Sequence, residues 1–354
     1  MMAAWRVPTF LAALLAFPSA ADPARADVGE ALRIAAFHSG LGRDGPGLML
    51  RDLSSGRDDQ AEAALAVIAA LDADVILLGD VDWDAGHAGL GALLERLAAA
   101  GLDYPHTLHL RPNSGLPSGF DLDGNGRLGE ARDALGYGRF TGSGGLALLS
   151  RLPLGTAEDL GGILWSERSE DAAALLPAGA EAVVPLATVA QWVVPLDVGG
   201  TRLTLVTLAA STPVFDGPED RNGLRGHDEL ALAAELAARV ERPVLLGRAN
   251  VDPLDGEGRR EAIRALLAHP ALRDAEPRSA GGATQAPDDH RGDPALDTAE
   301  WDGPGPLRVD YVLPARELDV LGSGVHWPAP GDPGHEAAVA AGPGRAVWVD
   351  LRLP

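Results

Sequence analysis

From Leu32 onward the chain alternates between two hydrophobic periods. LRIAAF (32–37), DVILLGDV (74–81), GGLALLS (144–150) and PVLLG (243–247) are short apolar runs bounded by glycine or polar positions, the pattern of buried strands. Between them, DQAEAALAVIAALD (59–72), HAGLGALLERLAAAG (87–101), LRGHDELALAAELAARV (224–240) and GRREAIRALLAHP (258–270) repeat apolar residues every three or four positions and predict helices. QWVVPLDV (191–198) and RLTLVTLA (202–209) flank Gly199-Gly200, which predicts an antiparallel hairpin. LRVDYVLP (307–314), LDVLGSGVHW (318–327) and AVWVDLRL (346–353) close the chain as strands. Helices alternating with strands that are themselves partly hairpin-paired predict an α/β protein, a four-layer sandwich of two mixed β-sheets flanked by helices. No linker and no repeat of solenoid period interrupts this order, so one domain is expected over residues 31–354. The segments 38–58, 111–143 and 274–307 are long for connections in a compact domain, and function is sought there first.

Ahead of this pattern stands MMAAWRVPTFLAALLAFPSAADPARA, with one early arginine, an apolar stretch from Val7 to Pro18 and small residues at Ala24 and Ala26. That is the three-part pattern of a secretory signal peptide over residues 1–26, and the apolar stretch is too short for a membrane span. The expectation is cleavage after Ala26, a periplasmic or secreted protein, and no membrane attachment afterwards. The sequence has no cysteine, so an oxidising compartment would contribute no disulfide and the core alone must supply stability. The formal charge is −22, with arginine as the sole fixed cation of the side chains. A field of that sign repels polyanions, and the sequence carries no strong nucleic-acid signal.

Several longer strings are distinctive: DVILLGDVDWD, PNSGLPSGFDLDGNGRLGEARDALGYGRF, STPVFDGPEDRNGLRGHDE, GDPALDTAEWDGPG, RVDYVLP and VHWPAPGDP. From about Leu32 to Leu353 the chain resembles a secreted bacterial branch of the endonuclease/exonuclease/phosphatase superfamily, the fold of deoxyribonuclease I. The resemblance implies metal-dependent phosphoester hydrolysis, in which a carboxylate holds Mg²⁺ or Mn²⁺, a His–Asp pair activates water or steadies the phosphate, and an Asp–Asn strand end orients the nucleophile. A hard cation needs carboxylate oxygens, and in-line attack needs both a base and charge neutralisation at phosphorus.

Position by position, this chain departs from that pattern. Phe37 is followed by His38 where asparagine is typical, and the metal-binding glutamate corresponds to Asp80 in Gly79-Asp80-Val81-Asp82. The mid-chain histidine corresponds to Ala209, and a tyrosine before the LLS strand to Gly144. Gly-Asp-x-Asn has become Gly247-Arg248-Ala249-Asn250, and the terminal Ser-Asp-His has become Gly342-Pro343-Gly344. Both histidines and the nucleophile-orienting aspartate are replaced. Loss of a general base alone costs about 10²- to 10⁴-fold.

The resemblance leaves Asn250 and Asp310 as remnants of the catalytic set, Asp80 and Asp252 as weak metal ligands, and Arg248 and His38 as ligand-binding groups. Arg248 is expected to pair with Asp80 or to fork onto an anionic ligand. In FDLDGNG, Asp121, Asp123 and Asn125 have the alternate spacing of the first half of a calcium loop, but Arg132 stands where the bidentate glutamate belongs. No resident cofactor is expected beyond weakly held Mg²⁺ or Ca²⁺, and the partner class is a small anion or a protein. The reading is a family member that has lost hydrolysis; the alternatives are a phosphoesterase rebuilt on His38, Asp80, Asp252 and Arg248, and a scaffold whose long loops bind partners.

Overall fold

Alternation along each strand decides which layer a side chain enters. On β1 (Leu32–His38) the side chains of Leu32, Ile34 and Ala36 face one way and those of Ala35 and Phe37 the other. A computed structural model describes residues 31–285 and 287–353, which leaves the expected signal peptide outside the described residues. After β1 come α1 (Leu48–Ser55), α2 (Asp59–Leu71), β2 (Val75–Val81), α3 (Ala88–Ala99), β3 (His106–Leu108), β4 (Gly145–Ser150), β5 (Glu158–Asp159) and α4 (Glu170–Leu175). They are followed by β6 (Trp192–Val198), β7 (Thr201–Ala209), α5 (Arg221–Arg239), β8 (Pro243–Arg248), α6 (Arg260–Leu267), β9 (Ala299–Trp301) and β10 (Gly305–Leu307). β11 (Asp310–Pro314), β12 (Asp319–His326), α7 (His335–Ala340) and β13 (Ala346–Arg352) complete the chain.

One sheet has the order β12-β13-β1-β2-β4-β3 and the other β11-β8-β7-β6-β5. Each is mixed, because β1 runs parallel to β2 and β7 parallel to β8 while the remaining neighbours are antiparallel. The inward faces meet in a layer containing Ile34, Leu77, Leu148 and Val349 from the first sheet and Trp192, Leu205, Leu246 and Val312 from the second. The outer face of the first sheet is covered by α1, α2 and α3, and that of the second by α5 and α6. This is the four-layer sandwich the sequence predicts, and it gathers the strand ends that carry His38, Asp80, Arg248 and Asp310.

Several short elements lie inside segments that periodicity leaves as loops. α1 is eight residues long, enters from Gly47 and leaves through Gly56, and buries Met49 and Leu53 one turn apart. A helix so short spans too few repeats for its period to stand out. Similarly, β9 and β10 form a small hairpin in 274–307 that buries Ala299 and Leu307.

Candidate active-site cleft

Strand parity aims the site. On β8, Val244 and Leu246 point into the layer between the sheets, so Arg248, two residues on, points there too. Val312 does the same for β11 and brings Asp310 to the same face. His38 continues the series Ile34, Ala36 on β1. Asp80 arrives differently: pairing of β2 with β4 shifts between Gly79 and Val81, and Asp80 takes the left-handed conformation with φ 56°. An aspartate tolerates that backbone better than most residues, and the irregularity turns its carboxylate into the cleft. These groups line a cavity of about 60 Å³ together with Gly144, Ala209 and Asn250.

Arg248 and Asp310 stand directly opposite each other in the β8–β11 register. Arg248 Nε donates to Asp310 Oδ1 at 2.8 Å and Nη2 to Oδ2 at 2.7 Å, a two-point fork. Both are buried, at 8% and 2% exposure. The guanidinium also lies 5.7 Å from the Trp301 ring of the β9–β10 hairpin. The expected pairing with Asp80 is therefore corrected. Register placed a carboxylate nearer, and Asp310, which in the family pattern would support a histidine, holds an arginine instead.

Gly344 shows why the exchange is coupled. A Cβ at that position would sit 2.9 Å from Arg248 Nη2 and 2.8 Å from the His38 carbonyl. The guanidinium thus occupies the volume into which a side chain at residue 344 would project. With the guanidinium held by Asp310 on one side and the His38 carbonyl on the other, residue 344 has little room for a side chain.

Asp80 is left with the weaker company. Its Oδ2 is 4.0 Å from His38 Nε2, and among the described residues it accepts no closer hydrogen bond. Gly42 and Gly144 border it, and a Cβ on Gly42 would overlap its Oδ1. Burial pushes the Asp80 carboxyl above the usual range, against the opposing pull of Arg248 and Arg43. His38 is pushed well below the ordinary histidine range, first by burial and then by the Arg248 charge, so it is a neutral imidazole at neutral pH. Asn250, at φ 57°, donates one Nδ2 hydrogen to the Ala210 carbonyl at 2.7 Å, which fixes the orientation of its amide.

Asp252 does not join the cleft. Its Oδ1 accepts from the Leu254 and Asp255 N–H groups, both at 2.7 Å, and its Oδ2 from the Arg308 N–H at 2.6 Å. With three backbone donors on it, Asp252 ties the turn after β8 to the strand entering β11, which removes it from the expected ligand set. The 121–126 segment is likewise separate. Asp121, Asp123 and Asp133 bring carboxylate oxygens within 4.8 Å of one another, with Asp133 rather than Asn125 as the third member. Asn125 instead donates Nδ2 to Asp123 and Glu130.

Sequence reasoning missed Asp82 and Glu229. Asp82 accepts from the N–H groups of Gly144 (3.0 Å) and Arg43 (2.9 Å), which fixes both walls beside Asp80, and burial raises its carboxyl to about 6. Glu229 lies mid-helix, because α5 starts at Arg221 rather than at Leu224, and it is buried and accepts from the N–H groups of Thr188 and Ser211. The local signal for Asp82 was its alternation with Asp80; nothing in the sequence marked Glu229 as buried.

The sequence model of the Endonuclease/Exonuclease/phosphatase family matches residues 44–344. The chain belongs to this family. Among solved structures, the family protein from Beutenbergia cavernae superposes with a TM-score of 0.57 at 21% identity, covering 91% of this chain and 72% of that one. The family protein from Leptotrichia buccalis gives 0.52 at 13% identity, covering 91% of this chain and 100% of that one. The Bacteroides vulgatus protein gives 0.51 at 13%, covering 92% and 100%. At these identities the likeness carries the fold of the endonuclease/exonuclease/phosphatase family and no more. No curated protein matches the sequence.

Proposed function

We propose that this endonuclease/exonuclease/phosphatase-family protein has lost metal-dependent phosphoester hydrolysis and keeps the cleft as a binding site. The observation that carries the reading is the Arg248–Asp310 fork, which neutralises one cleft carboxylate and fills the space beside Gly344. The family's metal does not fit what remains. Among the described residues Asp80 is the one lining carboxylate outside that fork, and a fixed cation stands in the same cavity. A hard divalent ion asks for more oxygen ligands than this and for no neighbouring positive charge.

The direct test is hydrolysis of a phosphodiester and a phosphomonoester by purified protein with Mg²⁺, Mn²⁺, Ca²⁺ or chelator. No turnover is expected. Metal-dependent turnover that Asp80→Ala abolishes would overturn the reading in favour of a rebuilt phosphoesterase. Arg248→Asp should strengthen Mg²⁺ binding measured by calorimetry without producing turnover, since residues 209 and 344 still lack imidazoles. Gly344→His alone would meet both the Arg248 guanidinium and the His38 carbonyl; adding Arg248→Asp relieves only the first of these contacts.

One observation favours a small anion as the ligand: Arg248 Nη1 has no partner among the described residues while the other two guanidine nitrogens are fixed. The fork cancels much of the charge, so the affinity is weak. Phosphate and acetate should raise Tm modestly, and Arg248→Met should remove the effect. Export is part of the same proposal, supported by the residue pattern of 1–26; mass spectrometry of exported protein should show Asp27 as the first residue, and retention of Met1 on a membrane-bound form would refute it.

A further inference from the structure

Outside the cleft, the residues after β2 and β3 bring two imidazoles together. His109 follows the edge strand β3 and is 5% exposed, yet neither ring nitrogen closes a hydrogen bond with the protein. Burying an imidazole without a partner is costly, and such a group asks for an explanation. The His87 ring lies 5.6 Å from it, centre to centre, with the planes tilted by 56°. We propose that His87 and His109 form a site for a borderline divalent transition-metal ion such as Cu²⁺ or Zn²⁺.

The distances suit that assignment. An imidazole nitrogen about 2.0–2.1 Å from an ion puts its ring centre about 3.2 Å away, so two rings at a tetrahedral angle stand about 5.2 Å apart. Only a small side-chain adjustment separates the observed pair from that value. The Val81 carbonyl lies close enough to act on the His109 ring without closing a hydrogen bond, and offers the second-shell acceptor that orients a metal-bound imidazole.

His87 is free for the role. It precedes α3 in the left-handed conformation at φ 52° and makes no side-chain cap. Asp84 does that work, accepting from the N–H groups of Gly86 (3.0 Å), Ala88 (2.9 Å) and Gly89 (2.9 Å). The same carboxylate supplies negative charge beside both histidines. Trp83 meets the His87 ring in a T-shaped arrangement with the ring centres 6.1 Å apart. Two nitrogen ligands favour Cu²⁺ and Zn²⁺ over Mg²⁺, and water would complete the shell.

The test uses the whole purified protein, with Cu²⁺ and Zn²⁺ alone as probes. One equivalent of Cu²⁺ should bind with an electron paramagnetic resonance spectrum showing coordinated nitrogen. His109→Phe, which matches the ring's shape without its orphaned nitrogens, and His87→Asn, which tolerates the left-handed backbone, should each weaken binding by about tenfold or more. His227→Asn, at a histidine elsewhere in the fold, should change nothing. Should His109→Phe fail to fold, the exposed His87→Asn decides alone. Absence of bound copper, or affinity that survives the variants at 87 and 109, would overturn the assignment, as would affinity that falls with His227→Asn instead.

Discussion

Two Arg–Asp forks are built the same way in different layers of the sandwich. Arg33 on β1 stands opposite Asp350 on β13, and Arg248 on β8 opposite Asp310 on β11, each an antiparallel register pair with two donated hydrogen bonds of 2.7–2.8 Å. Each guanidinium also lies over a tryptophan, Trp348 at 4.2 Å and Trp301 at 5.7 Å. Their surroundings differ. Arg33 and Asp350 alternate with the inward Ile34 and Val349, so their fork faces the helix layer, where Arg33 Nη1 also reaches the Leu71 carbonyl at 3.0 Å. Arg248 and Asp310 are in phase with the inward Leu246 and Val312, so theirs faces the cavity between the sheets. An identical pair strengthens the frame in one place and closes a site in the other; the face, set by one residue of phase, makes the difference.

Removing one carboxylate should separate them most. Asp310→Ala leaves a buried guanidinium with neither hydrogen-bond partner and should cost about 3–5 kcal/mol. Asp350→Ala should cost less, roughly 1–3 kcal/mol, because Asp350 is partly exposed and Arg33 keeps the Leu71 carbonyl. Equal losses in urea unfolding would break the comparison. Replacing the inner pair together, Arg248→Met with Asp310→Leu, should fall within about 1–2 kcal/mol of the parent, far short of the sum of the single changes. An additive double variant would mean that the fork itself stabilises the fold.

pH sharpens the contrast further, since only the inner fork rests on a titrating loop. Thr298 Oγ1 accepts from the N–H groups of Val309 and Asp310, and the neighbouring Asp297 is buried 3.2 Å from His290. Burial, then the charges of Asp252, Asp255 and Asp293, raise the Asp297 carboxyl to about 8. An unfolded aspartate titrates near about 3.9, so the folded state keeps a proton that the unfolded chain releases. This contribution is fully present below about pH 4 and is lost as pH rises through about 8. Tm should therefore decline across that window, and Asp297→Asn should flatten the decline. An unchanged slope in the variant would assign the effect elsewhere.

The smallest effect is expected at Asp121, Asp123 and Asp133. Asp133 already accepts from the Leu122 and Glu130 N–H groups, and Asp121 from those of Asn125 and Gly126, so the loop satisfies its own acids. Millimolar Ca²⁺ should leave Tm unchanged. A rise that Asp123→Ala abolishes would make this a calcium site after all.

The hydrophobic pattern by itself determined the main strands and helices and the four-layer class, and the resemblance to the family, read motif by motif, implied the replacements at residues 209, 248 and 344. Those are local or alternating features, written where they act. It did not reveal α1 or the β9–β10 hairpin, which are too short for a period to emerge and are held by contacts made elsewhere in the chain. Nor did it reveal which carboxylate receives Arg248. Asp80 and Asp310 are both acids on strand-end segments, and only the β8–β11 register, joining residues 62 apart, puts Asp310 directly across from the guanidinium. The convergence of His87 with His109 has the same origin. Each follows a different strand, and no spacing in the sequence encodes a distance that folding alone creates.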